Sequence, residues 1–336
     1  MKAFIIERYG KSEVGRIADM PVPTVAPDDV LVKIHAASIN PIDLKIRSGE
    51  FKLILPYRMP LILGIDLAGT VVQIGADVTR FKVGDEVYAR AKDDHIGTFA
   101  EFIAIKESAV AIKPATLTMD EAASIPLVAL TAWQALVDRA GLKAGQKVLI
   151  HAGSGGVGTV AIQLAKHLGA TVATTTGTSN IEWVKALGAD TVIDYKTTAF
   201  EEVLRDYDVV LDTQGGKSLD NSLKVLKKGG KLISIAGAPD PQWAKDTHAN
   251  WILTLASHLL SFNIRRKAKQ VGVSYSFLFM HADADQLGSI AALIDRGVIR
   301  PVIDRVFPLQ ATKDALAYVA EGRAKGKVVV NIIDTP

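Results

Sequence analysis

The sequence predicts an α/β protein: a doubly wound parallel sheet joined to a β-rich domain that both ends of the chain build. Three observations carry this. From about Met119 apolar strand-like runs alternate with helical patterns, the texture of parallel strands covered on both faces. A glycine-rich turn links one of these strands to the next helix. The first third is instead made of short strand-like runs punctuated by Gly and Pro, the mark of a compact β-rich domain.

In that first third the runs are Val30–Ile34, Gly69–Ile74 and Phe99–Ile105, and the turn Val83-Gly84-Asp85-Glu86 leads into Val87-Tyr88. In the alternating part the expected strands are Lys147–Ala152, Thr171–Thr176, Thr191–Asp194, Tyr207–Asp212, Lys231–Ala236 and Val271–Phe279, with helices such as Val157–Leu168 and Ile181–Leu187 between them. A further helix, Asp285–Asp295, precedes two strand-like runs, Val302–Phe307 and Lys327–Ile332, which return the chain to its first domain. The expected division is 1–120 with 284–336, and 121–283.

Composition narrows the class. The 336 residues make room for about two domains. A net charge of +3, not clustered on one face, gives no footprint for nucleic acid. With no cysteine, disulfides, thiolate metal ligands and thiol nucleophiles are excluded. The apolar run near Met1 is too short for a signal peptide, and no run reaches the ~18 apolar residues that span a bilayer. A cytoplasmic protein without stable membrane insertion is expected. The apolar stretch Trp251–Ile264, followed by Arg265-Arg266-Lys267, reads as a membrane-surface helix or as a helix packed between domains or over a substrate cleft. The second reading is preferred, because the stretch is short and lies inside the part where strands and helices alternate.

The sharpest motif is His151-Ala152-Gly153-Ser154-Gly155-Gly156-Val157-Gly158, directly after Val148-Leu149-Ile150. In a strand–turn–helix context, Gly153-x-Gly155-x-x-Gly158 supplies a tight turn, a close backbone approach to a pyrophosphate, and close helix–strand packing. The helix N-terminus adds free N–H groups and a partial positive charge. Gly153, Ser154, Gly155, Gly156, Val157 and Gly158 are therefore expected to cradle a dinucleotide. A carboxylate about 20 residues further on normally binds the ribose of NAD. Here Ala170–Asn180 holds no acid. An acid there would repel a 2′-phosphate, so the absence favours NADPH, with Thr176, Gly177, Thr178 and Ser179 as hydrogen-bond donors. No Arg or Lys lies in the stretch, so the charge partner has to come from elsewhere.

These residues, with Asn40-Pro41-Ile42-Asp43-Leu44-Lys45-Ile46-Arg47-Ser48-Gly49, Gly64-Ile65-Asp66-Leu67-Ala68-Gly69-Thr70-Val71, Gly84-Asp85-Glu86-Val87-Tyr88, Leu130-Thr131-Ala132-Trp133, Gln163-Leu164-Ala165-Lys166, Phe277-Leu278-Phe279 and Gly326-Lys327-Val328-Val329-Val330, resemble the medium-chain dehydrogenase/reductase superfamily. The resemblance spans nearly the whole chain. It points to the zeta-crystallin-like quinone oxidoreductases, close to plant alkenal/alkenone reductases and the reticulon-interacting oxidoreductase. It implies a discontinuous GroES-like catalytic domain, a Rossmann domain, and an active site in the cleft between them. By family position Thr131 would lie near the nicotinamide, Leu278 at its carboxamide, Tyr195 near the adenosine, Ala236 and Gly237 along the cofactor, and Arg323 and Lys327 where they neutralise phosphate. Zinc-containing relatives carry Cys near Ser38–Asn40 and Gly-His-Glu at Gly64-Ile65-Asp66. Both are replaced here, so a metal-free enzyme is expected. A second departure is Asn180, where many NADPH-using relatives have Lys.

Without zinc to polarise an alcohol, alcohol oxidation gives way to reduction of an acceptor that is already electrophilic. A quinone or an α,β-unsaturated carbonyl fits. The candidate catalytic residues are Asn40, Asp43 and Lys45. In an extended segment Asp43 and Lys45 share a face, and Lys45 would stabilise an enolate. Alternatively Asn40 caps a helix starting at Pro41, with Asp43 in its first turn and Lys45 solvated. Two other functions stay open: an enoyl-thioester reductase of the same superfamily, and a non-catalytic, crystallin-like NADPH-binding protein. A homodimer is expected, joined through Val271–Phe279 as an open edge strand.

Overall fold

The structure, a computed structural model, describes residues 1–247 and 249–333. It forms two compact units: Met1–Leu130 together with the chain from His281, and Thr131–Met280. The N-terminal segment of the first unit contains β1 (Lys2–Ile6), β2 (Arg16–Asp19), β3 (Asp29–Ile39), α1 (Pro41–Ser48), β4 (Leu61–Ile62), β5 (Asp66–Ile74), β6 (Glu86–Arg90), β7 (Phe102–Lys106), β8 (Val110–Ile112) and α2 (Met119–Ala123). The boundary lies beyond the expected residue 120 because α2 packs on β3 and β5. Helix α3 (Pro126–Trp133) then carries the chain into the second unit. Along β3, Val30, Val32 and Ile34 are fully buried while Lys33 between them is exposed, as the period-two pleat requires.

The second unit contains β9 (Lys147–Ile150), α4 (Gly156–His167), β10 (Thr171–Thr176), α5 (Ile181–Ala186), β11 (Thr191–Asp194), α6 (Phe200–Val203), β12 (Tyr207–Asp212), α7 (Gly216–Ser222), β13 (Leu226–Ser234), α8 (Pro241–Asp246), α9 (Trp251–Gln270) and β14 (Ser274–Phe277). Its six strands are all parallel, in the order β11-β10-β9-β12-β13-β14. This is the doubly wound order with its switch point between β9 and β12, the place where such sheets bind nucleotides. Leu149, Val210 and Leu232, on three adjacent strands, are all fully buried.

One expectation for this unit needs correction. The last strand is only Ser274–Phe277, because α9 runs on to Gln270, Val271 caps it, and Gly272 at φ 71° turns the chain in the left-handed manner of helix ends. Val271, Val273 and Phe279 thus lie outside the edge strand. The 251–264 stretch, read as a helix packed between domains or over a substrate cleft, is the first part of α9. Only one side of α9 is buried, at Ser257, Ser261, Ile264 and Ala268, while Trp251, Leu259 and Leu260 stand in solvent.

From His281 the chain rejoins the first unit through α10 (Ala284–Asp295), β15 (Ile303–Pro308), α11 (Thr312–Ala320) and β16 (Lys327–Asn331). β16 pairs antiparallel with β3 and parallel with β15, giving the sheet order β15-β16-β3-β5-β6-β8, with β7 also on β3. A smaller antiparallel sheet has the order β2-β1-β4. The returning α10 is held by a buried hydrogen bond of 2.6 Å, donated by the Tyr88 hydroxyl of β6 to the Leu287 carbonyl. The Leu287 carbonyl keeps its bond within α10, so removing the hydroxyl forfeits one buried hydrogen bond, worth about 0.5–1.5 kcal/mol. Tyr88→Phe is accordingly expected to lower stability by that amount in urea unfolding, and an unchanged midpoint would show that the bond does not hold α10.

Candidate active site

The glycine motif lies at the carboxyl end of β9. The backbone turns there at Ala152, whose φ of 53° is unusual for a residue with a side chain. The turn is fixed by Gly153 N–H to the Thr175 carbonyl (2.9 Å), Ala152 N–H to Thr175 Oγ1 (3.2 Å) and Gly155 N–H to the Ala152 carbonyl (2.9 Å). Gly158 is required by packing: a Cβ on it would lie 2.3 Å from the Ala152 carbonyl oxygen. Gly155, the N-cap of α4, differs, since its Cβ would meet only the Ala152 oxygen, at 3.3 Å. The space in front of it is open, and the first-turn amides of Gly156, Val157 and Gly158 have no carbonyl one turn back to bond. This cradle fits a pyrophosphate, which the helix dipole and the free N–H groups both favour.

On one side of the cradle stand the ends of β10 and β11. Thr174 and Thr175 are committed inward, Thr174 Oγ1 donating to the Ile150 carbonyl (2.6 Å) and Thr175 Oγ1 facing His151 Nδ1 (3.2 Å). Thr176 Oγ1 is buried with no partner, an orphan hydroxyl beside Gly177. Where a Cβ would stand on Gly177, the Tyr195 hydroxyl is 3.5 Å away and Lys196 Cε 3.6 Å. Lys196 is thus a cation beside the acid-free segment, and the sequence reading missed it; its one signal is its place next to Tyr195. An acid also reaches this end from β11. Asp194 accepts from Thr178 Oγ1 (2.6 Å) and the Lys196 N–H (3.0 Å), and the Thr178 bond foremost holds its carboxyl below the usual range.

The loops after β12, β13 and β14 complete the same edge. Buried Asp212 accepts from the N–H groups of Gln214 and Gly215 and from Ser234 Oγ (2.6 Å). Ser234 Oγ in turn accepts from Ala236 N–H (3.2 Å) and Gly237 N–H (2.8 Å), and Leu278 N–H donates to the Ser234 carbonyl (2.8 Å). Sequence reasoning missed the Asp212–Ser234 pair, which fixes Ala236 and Gly237. The topology therefore brings Gly153, Ser154, Gly155, Gly156, Val157, Gly158, Thr176, Gly177, Tyr195, Ala236, Gly237 and Leu278 to the carboxyl ends of five of the six parallel strands. Thr131 is buried in α3.

The first unit gathers its polar residues into a buried cluster. Asn40 Nδ2 donates to Asp66 Oδ2 (2.9 Å), and Ser38 Oγ donates to the same oxygen (3.1 Å). Lys327 Nζ donates to Asn40 Oδ1 (2.5 Å) and the Ile39 carbonyl (2.9 Å), and lies 3.5 Å from Asp66. Asp66 Oδ1 accepts from the Leu127 N–H (2.9 Å). Burial pushes the Asp66 carboxyl up and the Lys327 ammonium down. Lys327 is thus committed inside this cluster and is not a phosphate ligand, which corrects the expectation for it. Arg323 is exposed in the loop before β16.

The Asp43–Lys45 pairing is also corrected. Pro41–Ser48 is a helix, where residues two apart point to different sides. Asp43 is fully buried, accepts the Asn40 N–H at 2.7 Å and is pushed up to about 7, chiefly by burial. Lys45 is exposed and lies over the Phe51 ring at 5.9 Å. Where a catalytic zinc would need several anionic or imidazole ligands, the cluster offers one carboxylate, Asp66, already bonded to Ser38, Asn40 and the Leu127 N–H and facing the Lys327 ammonium, a donor set that opposes a divalent cation. Among the described residues no three His, Cys, Asp or Glu side chains converge on a metal position.

Fold and donor set together define a two-unit, nicotinamide-type dehydrogenase/reductase lacking zinc ligands. The chain belongs to the quinone oxidoreductase type of the medium-chain dehydrogenases/reductases. Residues 26–115 match the alcohol dehydrogenase GroES-like domain family and residues 187–330 the zinc-binding dehydrogenase family. The chain is 38% identical to the mitochondrial NAD(P)H oxidoreductase RTN4IP1 of Mus musculus, over 99% of this chain and 89% of that one. It is 35% identical to the chloroplastic NADPH-dependent alkenal/one oxidoreductase of Arabidopsis thaliana, over 98% and 79%. The quinone oxidoreductase structure from Coxiella burnetii superposes with a TM-score of 0.87 at 32% identity, over 99% of both chains.

His151 opens the glycine motif, yet it works inward. Its Nε2 lies 2.9 Å from Ser222 Oγ, and burial pushes its pKa down to about 4. A base depressed in the fold contributes stability that is present above its unfolded pKa and lost as pH falls through the folded one. His151 is therefore expected to titrate near pH 4 by imidazole NMR and to remove about 3 kcal/mol of stability between pH 6.5 and 4. A midpoint near 6.5 would contradict the buried neutral ring.

Proposed function

We propose that this protein is an NADPH-dependent reductase of quinones or α,β-unsaturated carbonyls that works without zinc. The observation that carries the reading is the Gly155 cradle at the switch point, with Lys196 and Tyr195 beside the end of β10, where the carboxylate of Asp194 is taken up by Thr178 and the Lys196 N–H. The relatives' names support the acceptor class. The α4 N-terminus holds the pyrophosphate. Thr176 Oγ1 and the Tyr195 hydroxyl donate toward the adenosine ribose, and Lys196 supplies the positive charge that a 2′-phosphate needs and Asn180 does not provide. Bound NADPH supplies the hydride.

Asn40 is the first unit's donor for the substrate oxygen. Its amide is clamped from both ends by Asp66 and Lys327, and only one of its two Nδ2 hydrogens is spent on Asp66. Such a preset donor needs no reorganisation when charge develops. Exposed Lys45 has no such support, so Lys45→Ala leaves turnover unchanged on this reading. We further propose a homodimer joined through the edge strand β14 and, since the chain has no cysteine, a reducing, cytoplasmic setting.

The activity is tested by following NADPH absorbance against a panel of quinones and alkenones. Steady oxidation is expected, and none with any acceptor would favour a binding protein. For the cofactor, fluorescence titration should give tighter binding of NADPH than NADH. Lys196→Ala should weaken NADPH about tenfold, equivalent to about 1.4 kcal/mol, and leave NADH unchanged. Gly155→Val should weaken both, because its side chain fills the phosphate space. Tighter NADH binding by the native protein would refute the cofactor preference.

A further inference from the structure

Helix α9 carries a surface that nucleotide binding does not use. Its inner side is buried at Ser257, Ser261, Ile264 and Ala268. On its outer side Trp251 is 75% exposed, Leu259 69% and Phe262 53%, with Ile252, Leu255 and Leu260 in the same range. At 3.6 residues per turn Trp251, Leu255, Leu259 and Phe262 form one stripe, and Arg266 and Lys269 continue it at the same azimuth. The apolar part is about 16 Å long at 1.5 Å per residue. Arg266 lies over the Phe262 ring at 6.0 Å, where the apolar and cationic parts meet. None of the helix's twenty residues is acidic. Lys267 is turned away and paired with Asp220 at 3.0 Å. Scattered apolar residues on a surface are ordinary, but a continuous stripe of this kind marks a contact.

We propose that α9 docks the protein reversibly on an anionic lipid bilayer, lying in the plane of the interface. Trp251, Leu255, Leu259 and Phe262 enter the boundary between headgroups and acyl chains, and Arg266 and Lys269 meet lipid phosphates. Charge selects this occupant over a second copy of the chain. Two copies of this helix across a two-fold axis would present each other with another acid-free surface and no counter-charge for Arg266 and Lys269. Headgroup phosphates supply that charge. The docking is peripheral: among the described residues no helix is long and apolar enough to cross a membrane.

The full-length protein is to be floated with vesicles of phosphatidylcholine and with vesicles containing phosphatidylglycerol. Flotation with the anionic vesicles, suppressed by salt, is expected, with a blue shift of tryptophan emission that Trp251→Tyr reduces. The double variant Leu255→Glu with Leu259→Glu should stay folded, since both positions are exposed, and should no longer float. Arg266→Ser with Lys269→Ser should weaken anionic binding roughly thirtyfold while leaving NADPH affinity intact. Failure to float with either vesicle, or flotation that survives the glutamate variant, would overturn the proposal. So would light scattering that shows the glutamate variant dissociating an oligomer, which would make the stripe a contact between chains.

Discussion

The contact on which the first unit depends is one buried ammonium. Lys327 reaches from the last strand of the chain to the end of β3 and the start of β5, joining residues 288 positions apart in sequence. A buried charge without partners is severely destabilising, whereas a fully bonded one fixes a unique arrangement. Here Lys327 has Ile39, Asn40 and Asp66, and Asp66 has Ser38, Asn40 and Leu127. The orientation of the Asn40 amide follows from these partners: its oxygen must face Lys327 and its nitrogen Asp66. Electrostatics that would otherwise fall to a metal are handled by side chains drawn from three separate segments.

The second unit is governed by a steric constraint. Helix α4 starts so close to the end of β9 that position 158 has no room for any side chain, and Ala152 takes a strained conformation to make the turn. That closeness points the first turn of α4 at the cradle. The Asp212–Ser234 pair does similar work on the next two strands, using a buried carboxylate, pushed up by burial, to shape the loops after β12 and β13. The second unit thus tolerates local cost where its strands end and keeps its apolar interior regular.

Much of this was legible in the sequence, for identifiable reasons. β10, β11 and β12 are short runs rich in apolar and β-branched residues, and their limits in the structure are the expected ones. The glycine motif was readable because each of its glycines answers a separate steric demand. Reading failed where a local pattern suited two backbones. Asp43 and Lys45 share a face only in a strand, and Pro41 starts a helix instead. Val271, Val273 and Tyr275 alternate like a strand, yet α9 consumes the first of them and Gly272 turns the chain before the strand begins. Lys327 looked like a phosphate ligand because its carboxylate and amide partners lie hundreds of positions earlier. Lys196 was passed over because proximity to Gly177 depends on the pairing of β10 with β11, which sequence spacing does not express.

The pairing of β16 with β3 also sets a schedule for synthesis. When β3 leaves the ribosome, the strand that will lie beside its second half does not yet exist. At about 5–20 residues per second, translation takes roughly 15–60 s to deliver it. During that interval Ala36–Ile39 present an unsatisfied strand edge, and the Asp66 carboxylate lacks its ammonium. The contiguous nucleotide-binding unit between them has all of its strands beforehand. Translation thus favours an order in which the second unit along the chain matures first and the first unit closes only when β16 arrives, its β3 edge open to wrong strand partners until then.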